Sequence, residues 1–321
     1  MNHRLSLSTL ILLCLLFSCR QESKNPKSTE SSRNAGLQIP ENQSSDRFNQ
    51  YWYQGKAELN AYDLQQARYG ELRRGEAVLI FVTEDFLIDS QVKKEREVKE
   101  AGTSVLKLNF LRKFTTGIYD YSMMNSVFQP IHQNQFLPPL KMTTSSQDWC
   151  GHSWMQLNRN SSGFDLKLFS YFQAEGDQSI QLDDEVLIED AFWNQLRINP
   201  DQIPKGERMV LPGSHYFRFS HRELKPYQAV ITVEKAPRKN YPNTKSFSVN
   251  YPELDRLLTI FYQADFPHQI IAWEERRASG FGDSAKRMTT TATLKSDVKT
   301  SYWSQNKTED ASWRDSLKLN H

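Results

Sequence analysis

The chain has 321 residues and a nearly even charge balance, 40 Lys and Arg against 38 Asp and Glu, for a formal net charge of +2. That balance gives no field to gather a polyanion, so a nucleic-acid partner is not expected. The length is enough to bury a large core without disulfide support.

Residues 1–18 read MNHRLSLSTLILLCLLFS, with Arg4 ahead of an apolar run from Leu10 to Phe17. Such a run has the length of an export-signal core and falls short of a bilayer span. Leu16-Phe17-Ser18-Cys19 resembles the lipobox of bacterial lipoproteins, with Leu three places before the cysteine and a small residue directly before it. The resemblance implies cleavage before Cys19 and attachment of lipid, palmitate among it, to Cys19. Each buried methylene contributes ~0.8 kcal/mol, so two or more acyl chains hold a protein to a membrane almost permanently. Arg20 stands where inner-membrane retention signals carry Asp, which implies the outer membrane. The mixed run Arg20-Gln21-Glu22-Ser23-Lys24 favours the periplasmic face over the cell surface. Cys14 would leave with the leader and Cys19 would be acylated. Only Cys150 then stays in the folded domain, and no internal disulfide can form. Residues 19–47 are polar and rich in Ser, Asn, Glu and Lys. They read as a disordered tether with an end-to-end distance of roughly 30 Å.

From residue 48 the texture becomes that of strands. Ala77 to Val82 is a continuous apolar run, as for a strand covered on both faces. Leu106, Leu108 and Phe110 alternate with polar residues, as do Leu166 and Leu168. Ala229, Ile231 and Val233 form a further one-face set, and Leu258, Ile260 and Tyr262 another. Met288 to Thr293 suits a strand with an exposed face. Asn160 to Gly163 and Ala174 to Asp177 read as hairpin turns. The clearest helix is 183–198. Asp183, Asp184 and Glu185 would favour its start, Leu187, Ile188, Ala191, Phe192 and Leu196 share one face, and Asn199-Pro200 stops it. A short helix over 308–317 would turn Trp313 and Leu317 inward. The fold expected is mainly β, with antiparallel sheets in a half-barrel or sandwich-like arrangement around one central helix. The β-rich domain spans 48–321, and the helix separates strand-rich halves at 48–182 and 205–321.

The chemistry is sparser. As a strand, residues 148–157 would place Asp148, Cys150 and His152 on one face, about 7 Å apart. A thiol beside an imidazole ionises more readily, and Asp148 could orient His152, which makes a thiol-dependent hydrolase or transferase one reading. Catalytic Cys and His normally come from different elements. Free cysteines are among the most buried residues. The balance favours a packed strand with a structural Cys150. His215, Phe217, Phe219 and His221 would share a face of another strand, with the two histidines about 20 Å apart and unable to share a metal ion. Gly280-Phe281-Gly282-Asp283 is a turn, short of a phosphate-binding loop. No cofactor or metal is expected.

Several segments resemble an uncharacterised family of Bacteroidota lipoproteins: Tyr53 to Glu58, Ala67 to Glu71, Phe81 to Phe86, Leu106 to Phe110, Asp148 to His152 and Tyr251 to Arg256. Members often carry the name septum formation inhibitor Maf. Maf nucleotide pyrophosphatases grip phosphates with Ser-Pro-Arg-Arg, a motif this chain lacks, so that activity is not expected. The resemblance and the anchor imply a lipid-anchored envelope protein. The reading carried forward is a non-enzymatic binding or scaffold module for an apolar ligand, a lipid or a partner protein, with the Cys150 enzyme as the alternative.

Overall fold

The computed structural model describes residues 37–319. The leader, Cys19 and the tether up to residue 36 lie outside the described residues. The last part of the expected tether is docked. Leu37 and Ile39 pack against Phe86, Val105 and Leu140, and Gln43 bridges to His132. Helix α1 (Asp46–Trp52) follows, with the Ser45 hydroxyl accepting from the Phe48 N–H as an N-cap. It buries Phe48 and Trp52 completely.

Eight strands then form an antiparallel meander: β1 (Ala57–Arg68), β2 (Glu71–Leu87), β3 (Gly102–Thr116), β4 (Tyr119–Pro130), β5 (Lys141–Asp148), β6 (Gly151–Asn160), β7 (Gly163–Ser170) and β8 (Gln178–Asp183). Next come β9 (Leu187–Ile188), helix α2 (Glu189–Ile198), β10 (Gly206–Leu211) and helix α3 (Ser214–Ser220). A second meander closes the chain: β11 (Tyr227–Lys235), β12 (Thr244–Tyr251), β13 (Arg256–Gln263), β14 (Ile270–Ser279) and β15 (Lys286–Thr300), before the short helix α4 (Trp313–Ser316). All fifteen strands among the described residues belong to one sheet, ordered β8 to β1 and then β15 back to β9. The two expected halves are the arms of this sheet, fused where β1 pairs with β15.

The two edge strands, β8 and β9, are neighbours in sequence. Only Asp184, Glu185 and Val186 separate them, a link of at most about 14 Å. The covalent chain therefore draws the two edges together, although no hydrogen-bond ladder joins them. Of the two expected arrangements, the strands adopt the half-barrel. Alternation sorts side chains to its two faces. On β1, Glu58, Asn60, Tyr62, Leu64, Gln66 and Arg68 face inward and all are buried. Between them Leu59 and Ala61 face outward, where Leu317 covers them. Trp313, expected to pack inward as well, stays 39% exposed.

Helix α2 runs through the interior. Phe192 meets Phe247 of β12 at 5.2 Å between ring centroids. Trp193 meets Phe110 of β3 at 5.1 Å and Trp273 of β14 at 5.3 Å. Contact with both arms explains why every residue of α2 is buried, charged ones included. Arg197 forms a two-pronged pair with Glu58, at 2.6 and 2.8 Å. Glu189 receives Arg256 at 2.5 and 2.6 Å. The helix starts six residues later than the sequence pattern indicates, because Gln178–Asp183 is taken up as the edge strand β8. Residues 214–220 also depart from expectation, forming α3 rather than a strand. Asp190 Oδ2 accepts the Ser214 N–H at 2.8 Å and fixes its start. Gly213 permits the close approach, since a Cβ there would lie 2.5 Å from Glu189 Oε1. No helix among the described residues is long and apolar enough to cross a membrane.

Candidate functional site: a pocket at the mouth of the half-barrel

Strand direction sets where the turns fall. The β1–β2, β3–β4, β5–β6, β7–β8 and β14–β15 connections all lie at one end of the sheet. Their tips expose large apolar side chains: Tyr69, Ile118, Trp149, Tyr171 and Phe281, with Ile118 83% and Trp149 70% exposed. Helix α3 ends at the same place. Between these tips lies a pocket of about 340 Å³.

Its floor is built from two guanidinium groups. Arg68 ends β1 in the inward phase and is 3% exposed. It donates to the Phe219 carbonyl at 2.8 Å and to the hydroxyls of Tyr69 and Tyr121 at 3.0 and 3.1 Å. All these acceptors are neutral; among the described residues no carboxylate pairs with it. Arg218, from α3, is 5% exposed. Its Nη2 donates to Asp148 Oδ2 at 2.5 Å. Its Nε and Nη1 are buried and have no hydrogen-bond partner among the described residues. The Phe172 ring stands over this guanidinium at 4.5 Å.

The walls are aromatic. Tyr69 touches Phe281 with centroids 6.0 Å apart, Phe281 touches His221 at 5.9 Å, and His221 touches Phe172 at 4.9 Å. His221 Nδ1 bonds Glu175 at 2.5 Å. Burial raises the Glu175 carboxyl, but its bonds to His221 and Ser170 outweigh that and hold it below the usual range. Burial likewise pushes the Tyr69 phenol up, while bonds with Tyr121 and Tyr119 and the Arg68 charge pull it lower on balance.

Asp148, Cys150 and His152 do not share a strand face. Asp148 ends β5 and Gly151 begins β6, so Trp149 and Cys150 are the two residues of a hairpin loop. Asp148 Oδ1 accepts the Cys150 N–H at 2.7 Å, a local bond that favours a turn over a continuing strand. Gly151 lets Tyr171 close over the hairpin, because a Cβ there would lie 2.8 Å from that ring. Cys150 is exposed, against the buried position expected, and lines the pocket. Desolvation and the Asp148 charge push its thiol up, away from the reactive thiolate. Asp148 is committed to Arg218 rather than His152, and His152 is exposed opposite Gln147 of β5. His215 and His221 lie on different surroundings as well: His215 is buried against Phe110, and only His221 reaches the pocket. Among the described residues no group of three His, Cys, Asp or Glu could hold a metal ion.

The residues that shape the pocket most, Arg68, Arg218, Tyr69 and Phe281, do not stand out in sequence. The strand that carries Arg68 is not among those that alternation reveals, because nearly all of it is buried on both faces. No protein family, curated protein or solved structure compared with the chain matches it.

Proposed function

We propose that this chain is an envelope lipoprotein, anchored through Cys19, whose half-barrel is a non-enzymatic module that binds a small molecule at its mouth. The carrying observation is the mouth pocket of about 340 Å³ with its aromatic walls and buried guanidinium floor. Concave sites with mostly apolar walls and a few placed polar groups are the usual form of ligand pockets. The interior behind the mouth is filled by α2 and α3, which disfavours a lipid held within the barrel. The Cys150 enzyme reading gains no support from a thiol whose ionisation is pushed up, in a turn where Asp148 is bonded to Arg218 rather than to a histidine.

Native mass spectrometry of the full chain, released gently from its membrane, tests this. The expected spectrum shows the acylated chain with a small molecule bound, and Cys19→Ala removes the acyl mass alone. A bare acylated chain that stays bare with envelope extract would sink the binding reading, and an unacylated wild type would sink the anchor.

A further inference from the structure

We propose that the mouth pocket recognises a single negative charge carried on a planar ring. This rests on the ligand-binding reading above and names the chemistry of the ligand. Arg218 meets one carboxylate, Asp148, and the other carboxylate of the mouth, Glu175, is bonded to His221, while buried Arg68 meets only neutral acceptors and has no counter-ion in contact. A buried charge without a counter-ion is costly. Two nitrogens of Arg218, Nε and Nη1, are buried without acceptors among the described residues, and such donors are destabilising until an acceptor arrives. A carboxylate, a monoanion at neutral pH, supplies both the charge and the acceptors. Asp148 disfavours a second negative charge by repulsion, which selects monoanions over dianions.

The walls select the rest of the molecule. Tyr69, Phe281, His221 and Phe172 form a continuous arc of rings. A flat ring laid against this arc continues the stack that Phe172 already makes on Arg218. The volume of about 340 Å³ accommodates one or two fused rings with their charged substituent.

Naphthoate is the probe, measured by calorimetry on the full chain in detergent. It is compared with naphthalene-methanol, which keeps the ring without the charge, and with acetate, which keeps the charge without the ring. Naphthoate is expected to bind and to slow maleimide labelling of Cys150, with both partial probes weaker by about tenfold or more. Arg218→Gln and Arg68→Met are each expected to lose about tenfold or more. Phe281→Ala is the second variant, since that side chain sits in a turn, 54% exposed and outside the core, and it too should weaken naphthoate. Equal binding of the neutral probe, or undiminished binding by a folded Arg218→Gln or by Phe281→Ala, overturns the proposal. A neutral species found bound in the native spectrum would leave the binding reading standing and remove this one. A chain that is bare in that spectrum and binds none of the probes would remove both.

Discussion

Asp190 sits at the start of α2, buried, with its carboxylate accepting the Ser214 N–H. Burial raises its pKa to about 7, the Ser214 bonds oppose this, and the neighbouring Glu189 charge adds to it. In the unfolded chain it titrates near its ordinary value of about 4. Between those values only the folded state holds the proton, so this contribution is present at low pH and is lost as pH rises through about 7. Urea melts at about pH 5 and pH 8 should show the wild type losing roughly 2–3 kcal/mol relative to Asp190→Asn. A constant difference between the two proteins would contradict this. Glu275 works in the other direction. Burial raises it, but Arg256, Arg277 and Arg112 hold it at about 2, so its contribution is lost only in acid. Neither group is legible in the sequence, because a pKa depends on which charges the fold brings together. Cys150 makes the same point. Its alternation with Asp148 and His152 suits a strand, yet one bond from Asp148 Oδ1 to the Cys150 N–H converts it to a turn.

The strand elements were legible because alternation survives in the sequence wherever one face packs on the interior. Leu106, Leu108 and Phe110 are all buried on β3, and Leu258, Ile260 and Tyr262 on β13. Helix α2 was legible in its apolar stripe and not in its start. Asp183, Asp184 and Glu185 resemble a helix cap, but the β7 ladder claims Asp183 through its pairing with Gly163. Its complete burial was hidden too, since Asn194, Gln195 and Arg197 are residue types mostly found exposed. Arg197 is buried with its charge met by Glu58. Helix α3 was misread because Phe217, Phe219, His215 and His221 satisfy a period of two, and only the docking of Ser214 on Asp190 selects the helix. Phe192 carries the packing of α2 on β12. Phe192→Ala should cost about 3–5 kcal/mol and lower the melting temperature, measured by thermal circular dichroism. A loss below about 1 kcal/mol would mean that α2 is not the packed centre of the barrel.

For the molecule as a whole, one sheet means one cooperative unit. Tyr62 of β1 packs on Trp273 of β14 at 4.8 Å, and the Arg197 bond ties α2 to β1, so neither arm has a core of its own. Tryptophan fluorescence and far-ultraviolet circular dichroism should report the same denaturant midpoint. Two separated midpoints would make the arms independent domains. The choice between these arrangements was closed to sequence reasoning, since a continuous sheet and two small ones leave the same alternation. Topology also dictates an order of events in time. β1 is among the first segments made, and β15, its neighbour on one side, is the last strand. At about 5–20 residues per second, a ribosome needs on the order of ten to fifty seconds to pass from one to the other. For that interval one flank of β1 has backbone donors and acceptors exposed and no native partner yet in existence. A nascent chain of this design must be shielded or kept extended until β15 is made, so the join between the two arms of the half-barrel is completed by β15 and cannot be assembled from β1 alone.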